Sequence, residues 1–274
     1  MNRLDYGTQI SFDPIRLSIG TIRKPTLADI SDTEKMGFDK FYFMEFLAKL
    51  TPEDYYTKLL KEENGAEKWE SIPEATRNNL TLFDLIATDK QLQKLYLELF
   101  NFFFEETVIY VDGYMVILQK GSEDKPIEEL QQKDIRGLLV KEFLPEVLSI
   151  IQQICGIYSE EEDVDNLKFK NEFQKNLYKK MLKAKKEAES RKKSSKQNID
   201  MTLPNIISTV ANPRNSLNYT NIWGLTIYQL IDSFGRLQKD EMYEINKTRV
   251  SVWGDEKKVF DFGLWYKNDY DKKT

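Results

Sequence analysis

The amino-acid sequence predicts a mainly α-helical protein, a multi-helix domain with one β-hairpin at about residues 108–118 and a smaller C-terminal helical module. Three observations carry that reading. Apolar residues between Leu82 and Leu99 recur at three- and four-residue steps, the spacing of one helix face. Asp112-Gly113 separates two β-branched and aromatic runs with a two-residue turn of the kind that accepts positive φ. Composition changes across a run with nine Lys or Arg residues between Lys179 and Lys196. The implied organisation is a helical domain with a hairpin over 1–177, a lysine-rich helix end and tether over 178–198, and an aromatic-rich helical module over 199–274.

From Pro25 the chain reads as helical, with Thr26 as cap and Asp29 completing a capping-box-like start. Gly37 interrupts it, and Phe38, Phe41, Phe43, Phe46 and Leu47 supply an apolar surface. The next helix has Thr51 as N-cap, Pro52 at the first helical position, Glu53 and Asp54 at the positive dipole end, and Gly65 as its close. A third start lies near "SIPEATRNN", and "TLFDLIATDKQLQKLYLELFNFFFEE" carries a strong helical signal. The hairpin pairs Val108–Val111 with Tyr114–Leu118. Both strands are almost wholly apolar, so each face of the pair is expected to be covered.

Residues 126–157 read as helical, with Pro145 marking a kink or a break. Leu167, Phe173, Leu177, Met181 and Leu182 fit an amphipathic helix that fades into the lysine-rich run. Beyond it, "NPRNSLNYTNIW" reads as an ordered loop, and "LTIYQLIDSFGRLQKDEMYEINK" as a helix with Leu225, Tyr228, Leu230, Ile231, Phe234 and Leu237 on its apolar side. Gly235 inside that helix suggests a close helix approach, since it costs about 1 kcal/mol relative to Ala there. The tail from Thr248 reads as a short strand or as an extended strap over the helix.

Of the 274 residues, 41% are hydrophobic and 12% aromatic, which supports a real core. Charged residues reach 31%, yet the net charge is only −5, so the chain is not of the disordered class. One cysteine makes an intramolecular disulfide impossible. The apolar stretch around Leu138 to Ile157 contains Lys141, Glu142, Pro145 and Glu146, charges that are costly at a bilayer centre, and the N-terminus lacks the apolar run of a signal peptide. No membrane association is expected, and the expected location is cytoplasmic.

The absence of histidine removes Ser-His-Asp and Cys-His arrangements, imidazole bases and nearly all zinc sites. Three other groupings read best as structure. The acidic run Ser159 to Asp165 lacks the ligand spacing and turn glycine of an EF-hand. Glu105 and Glu106 are adjacent carboxylates at a helix end, and Cys155 reads as a small buried apolar residue. "GTIRKPT" lacks the Walker spacing and is a helix lead-in. No catalytic, cofactor-binding or metal-binding residue is predicted, and the chain is expected not to be an enzyme.

Two groupings point to binding. The lysine-rich run has no aromatic residue after Tyr178, whereas nucleic-acid grips usually interleave basic residues with stacking aromatics or sit on a shaped fold. It therefore reads as a solvated helix end and tether, with a nucleic-acid regulator as a lesser alternative. The C-terminal aromatic block is Tyr219, Trp223, Tyr228, Phe234, Trp253, Trp265 and Tyr266. Most of it reads as core, and the exposed fraction is the candidate protein-binding set, because Trp and Tyr anchors dominate interface energetics.

The opening "SFDPIRLSIGTIRKPTLADI" and the ending "NSLNYTNIWGLTIYQLIDSFGRL…SVWGD…FDFGLWYKN" resemble small helical proteins of tail gene clusters in phages of low-GC Gram-positive bacteria. The group most similar is the phage tail assembly chaperones. The resemblance implies binding without catalysis: such proteins coat the long tape-measure protein and keep it soluble until tail-tube subunits polymerise around it. Its implied partner is a phage tail protein such as the tape measure; self-association is a further partner reading, which the resemblance does not supply. Its implied location is the bacterial host's cytoplasm. The alternative is a structural virion component, a baseplate or connector protein, in which case the chain belongs to the virion.

Overall fold

A computed structural model describes residues 3–60, 64–157, 201–211, 216–255, 260–267 and 270. The fold is mainly α-helical with two small antiparallel sheets. A short helix α1 (Tyr6–Ile10) is capped by Asp5, whose Oδ1 accepts from Thr8 N at 2.9 Å. Strands β1 (Ile15–Arg16) and β2 (Thr21–Ile22) follow as a pair that the sequence reading did not anticipate. Local propensity does not hold these two-residue strands. They are held by bonds to the distant end of a later helix, Arg23 N to Phe103 O at 2.8 Å and Glu105 N to Thr21 O at 2.9 Å.

The predicted capping box is present: Thr26 caps α2 (Leu27–Ser31), and its amide donates to Asp29 Oδ2 at 2.8 Å. Gly37, at φ 76°, separates α2 from α3 (Phe38–Ala48). Thr51 caps α4 (Pro52–Asp54) as expected, and the chain continues as a π-helical turn over Tyr55–Leu59. Gly65 does not close that helix. It opens α5 (Gly65–Ser71), packed so tightly that a Cβ there would lie 2.2 Å from the Tyr56 carbonyl oxygen.

Helix α6 (Glu74–Asn79) begins after Pro73. The long apolar run that follows is two helices, α7 (Leu82–Thr88) and α8 (Lys90–Phe103). Between them Asp89 is extended, and its Oδ1 accepts from Gln91 N at 2.7 Å and from Leu92 N at 3.3 Å. A residue that caps so well starts a new helix even inside a continuous apolar pattern.

The hairpin forms at the predicted residues, β3 (Val108–Val111) and β4 (Tyr114–Leu118), with Val108 opposite Ile117 and Val111 opposite Tyr114. A third strand, β5 (Ile135–Leu139), adds to β4 where a helix was expected. Gly137 makes this possible, because any Cβ there would lie 2.4 Å from the Ile19 carbonyl oxygen. The two faces of the sheet differ: Val108, Met115, Ile117 and Leu139 join the main core, while on the other face Val116 and Leu118 are buried outside that cluster and Tyr114 and Leu138 are exposed. The expected break at Pro145 is the start of α9 (Leu144–Ile154).

Past the basic run come α10 (Leu203–Val210) and the long α11 (Ile227–Trp253). Their buried residues Leu203, Ile207, Ile227 and Leu230, with Ile222 from the turn between them, belong to the same hydrophobic cluster as Phe41, Tyr96, Phe100 and Ile151. Each fully buried side chain of that size removes about 1.5–3 kcal/mol of apolar exposure. The Tyr96 hydroxyl, deep in the cluster, donates to the Leu47 carbonyl at 2.7 Å, so its one polar atom is satisfied.

Candidate protein-binding surface

The C-terminal surface is built on α11. Thr226 caps it with a box: Gln229 N donates to Thr226 Oγ1 at 3.2 Å, and Thr226 N donates to Gln229 Oε1 at 3.0 Å. The helix has 27 residues, so it extends about 40 Å. Burial is confined to its first turn, at Ile227, Tyr228 and Leu230. The C-terminal half therefore projects past the core.

Gly254, at φ 76°, ends the helix and turns the chain back along it. The returning segment is a strap, the second of the two forms expected of the tail. The Phe260 ring lies 5.4 Å from that of Tyr243, and Lys239 Nζ donates to the Lys267 carbonyl at 3.0 Å. Phe260 N donates to Asp255 Oδ2 at 2.9 Å, which fixes the strap's entry. Asn246, Arg249, Phe260, Asp261 and Leu264 line a cavity of about 130 Å³ beneath it.

The aromatic block divides by position. Tyr228 is buried, with rings of Tyr6 at 6.5 Å and Tyr270 at 6.2 Å, and Arg3 lies 3.8 Å over the Tyr270 ring. Beside them Arg236 Nε donates to Asp232 Oδ2 at 2.8 Å. That carboxylate, then the Tyr6 hydroxyl, holds the guanidinium's pKa above its ordinary value. Trp223 and Phe234 are half-buried against the core. These three are structural. Tyr219 is exposed, its hydroxyl 2.9 Å from Ser208 Oγ. Trp253 is 75% exposed at the tip of α11, and Trp265 and Tyr266 are exposed on the strap with ring centroids 5.1 Å apart.

Three side chains join the exposed set that were not singled out from the sequence: Phe262 at 73%, Ile245 at 65% and Val252 at 64% exposed. The signal for the last two was present. They continue the apolar periodicity of α11, and only the core's edge decides that they emerge uncovered. Gly235, read as a close-approach point, has no atom within 4 Å of a would-be Cβ, so among the described residues no helix crosses there.

The other groupings are structural where they are described. Glu105 pairs with Lys120 at 2.7 Å, and Glu106 Oε2 accepts from Thr21 N at 2.8 Å, so each carboxylate has its own partner. Burial pushes the Cys155 thiol's pKa up, which keeps it protonated and unreactive. The ammonium of Lys24, beside a cavity of about 600 Å³, donates to the carbonyls of Thr8 and Ser11, tying down the end of α1, and burial lowers its pKa. Among the described residues no cluster of acidic residues, Cys or His suits a metal ion, and no helix is long and apolar enough to cross a membrane. The acidic run 159–165 and the basic run 178–198 lie outside the described residues.

Residues 191–269 match the family described as YomV second domain. That family is phage-associated, so over this span the chain is similar to a phage protein. The matched span begins inside the basic run, ends on the strap, and contains all seven residues of the aromatic block. No curated protein and no solved structure matches the chain.

Proposed function

We propose that the protein is a non-enzymatic binding factor in phage tail assembly that chaperones the tape-measure protein. The observation that carries the reading is the exposure of four aromatics, Trp253 on α11 and Phe262, Trp265 and Tyr266 on its strap, within the span similar to a phage family. Large exposed apolar groups are costly in water unless a partner covers them for part of the protein's life. A tape-measure protein offers long amphipathic helices, and an apolar surface with adaptable aromatic side chains is the form that receives such a helix. The strap supplies the aromatics, and α11 holds them clear of the core.

Coexpression with the tape-measure protein of the same gene cluster tests the reading. The expected result is a rise in soluble tape measure and its co-purification with this chain. Unchanged insolubility with no co-purification would remove the proposal. Mass spectrometry of purified particles adds a second arm. The chain should be absent from mature virions, and its stoichiometric presence would assign it to the virion structure instead.

A further inference from the structure

The cavity of about 600 Å³ at the N-terminal end is bounded by α1, β1 and the segment after β2, and its lining includes Thr8, Asp13, Arg16 and Lys24. Its volume is that of an ordinary small-molecule site. Lys24 is only 8% exposed. Its Nζ donates to the carbonyls of Thr8 and Ser11, the second at 2.8 Å, and an ammonium has a third N–H still to give. Both acceptors are neutral. Among the described residues neither Lys24 nor Arg16 forms an ion pair, and the one carboxylate of the lining, Asp13, accepts from Ser11 Oγ at 2.9 Å. Burial is the largest influence on the Lys24 ammonium and lowers its pKa, and the charges of Asp13 and Asp5 offset it only in part. Buried charges are ordinarily paired. Closing the end of a five-residue helix satisfies two donors of Lys24 but leaves its charge unanswered.

We propose that this cavity binds a single carboxylate carried on a short apolar stem, with Lys24 and Arg16 holding the carboxylate. Charge selects the group. Lys24 and Arg16 set against Asp13 leave the lining with one net positive charge, which a monoanion balances and a phosphate dianion would overfill. Leu4, Pro14 and Ile15 supply apolar wall for the stem. The surrounding elements are anchored before any ligand arrives, which keeps the two cations in place. Asp5 caps α1, Arg16 pairs with Thr21 across the β1–β2 ladder, and Glu105 N donates to Thr21 O at 2.9 Å. The cavity lies outside the span that matches the phage family and away from the aromatic strap, so this inference does not rest on the tape-measure reading.

Titration of the full chain with hexanoate, followed by nuclear magnetic resonance, tests it. The amides of Gly7, Thr8, Ser11 and Arg16 should shift saturably at about millimolar concentration. Hexanol, the same stem without the charge, should bind at least about tenfold more weakly, and Lys24→Met should lose hexanoate affinity by a similar factor. Because Lys24→Met also loosens α1, two further variants separate binding from folding. Arg16→Ala, at an exposed position, should weaken hexanoate with an unchanged melt. Asp13→Asn keeps an acceptor for Ser11 and removes the opposing charge, so it should tighten hexanoate several-fold, which damage to the fold cannot imitate. A glutamate peptide with both ends blocked, titrated in parallel, identifies the source of the carboxylate. Tighter binding of the peptide assigns a partner's acidic side chain, and tighter binding of hexanoate a free acid. No saturable shift by about 50 mM hexanoate, equal binding of hexanol, or weaker binding by Asp13→Asn would overturn the proposal.

Discussion

The backbone amide of Leu27 donates to the carbonyl of Leu225 at 2.8 Å, tying the start of α2 to the approach of α11. Thr26 and Thr226 form a bridge beside it, and each threonine closes a capping box on its own helix. Two helix starts are thus stapled back to back. Replacing one N-cap threonine by alanine costs about 1 kcal/mol in an ordinary helix, and up to about 2 where the cap is buried. Thr226→Ala is expected at the upper end, since that residue is 1% exposed. Because the two caps touch, the double variant should depart from the sum of the singles by about 0.5 kcal/mol or more. Urea unfolding of the four proteins measures this, and strict additivity would show that the two starts are independent.

Gly137 is the second test of packing. Its would-be Cβ meets the backbone of Ile19, with the carbonyl oxygen at 2.4 Å and the Cα at 2.6 Å, and backbone cannot rotate away as a side chain does. Gly137→Ala is expected to cost about 1–3 kcal/mol or more by overpacking. Gly235→Ala, at a site with open space, should be neutral or stabilising by up to about 1 kcal/mol through helix propensity. Thermal melts of the pair separate steric from propensity effects, and equal melts would contradict the close approach.

Glu45 on α3 makes the stability depend on pH. Burial pushes its pKa up from 4.5 to about 7, with Lys49 opposing that rise. The folded chain therefore keeps a proton that the unfolded chain releases between those two values. The contribution is fully present below pH 4.5 and is lost as pH rises through about 7. The full loss amounts to roughly 3 kcal/mol at 1.36 kcal/mol per unit. Glu45→Gln removes it, so the variant should be more stable than the wild type at pH 8 and close to it at pH 4.5. Urea midpoints at both values check this, and a Glu45→Gln effect independent of pH would refute it.

Local chemistry explains what could be read beforehand. Thr26 with Asp29, Thr51 with Pro52, and Asp112-Gly113 act over three or four residues, and all of them form as read. Strand β5 escaped because Ile135, Leu138 and Leu139 also fit helical spacing; pairing with β4 and the gap at Ile19 decide for a strand. The division of α7 from α8 turns on Asp89 alone, inside an apolar run that reads as continuous. At the candidate site, residue type identified the aromatic block but could not rank it. Tyr228 and Trp253 lie on one helix, and only the reach of the core makes the first buried and the second exposed.

That ranking yields the test most specific to the proposed function. Trp265 and Tyr266 lie exposed on the strap, so replacing both by alanine should change stability by no more than about 0.5 kcal/mol each. If they are the anchors for the tape-measure protein, each truncation should cost about 2 kcal/mol of binding, roughly thirtyfold in affinity. Tyr228→Ala should behave in the opposite way. It removes a buried ring held between Tyr6 and Tyr270, and should lower stability by about 3–5 kcal/mol. Its binding, measured well below the variant's melting point, should survive. The comparison therefore needs both a thermal melt and a co-purification for each variant. Retained binding in the Trp265→Ala, Tyr266→Ala double variant would move the partner's anchor off the strap, and loss of stability there would show that the strap belongs to the core.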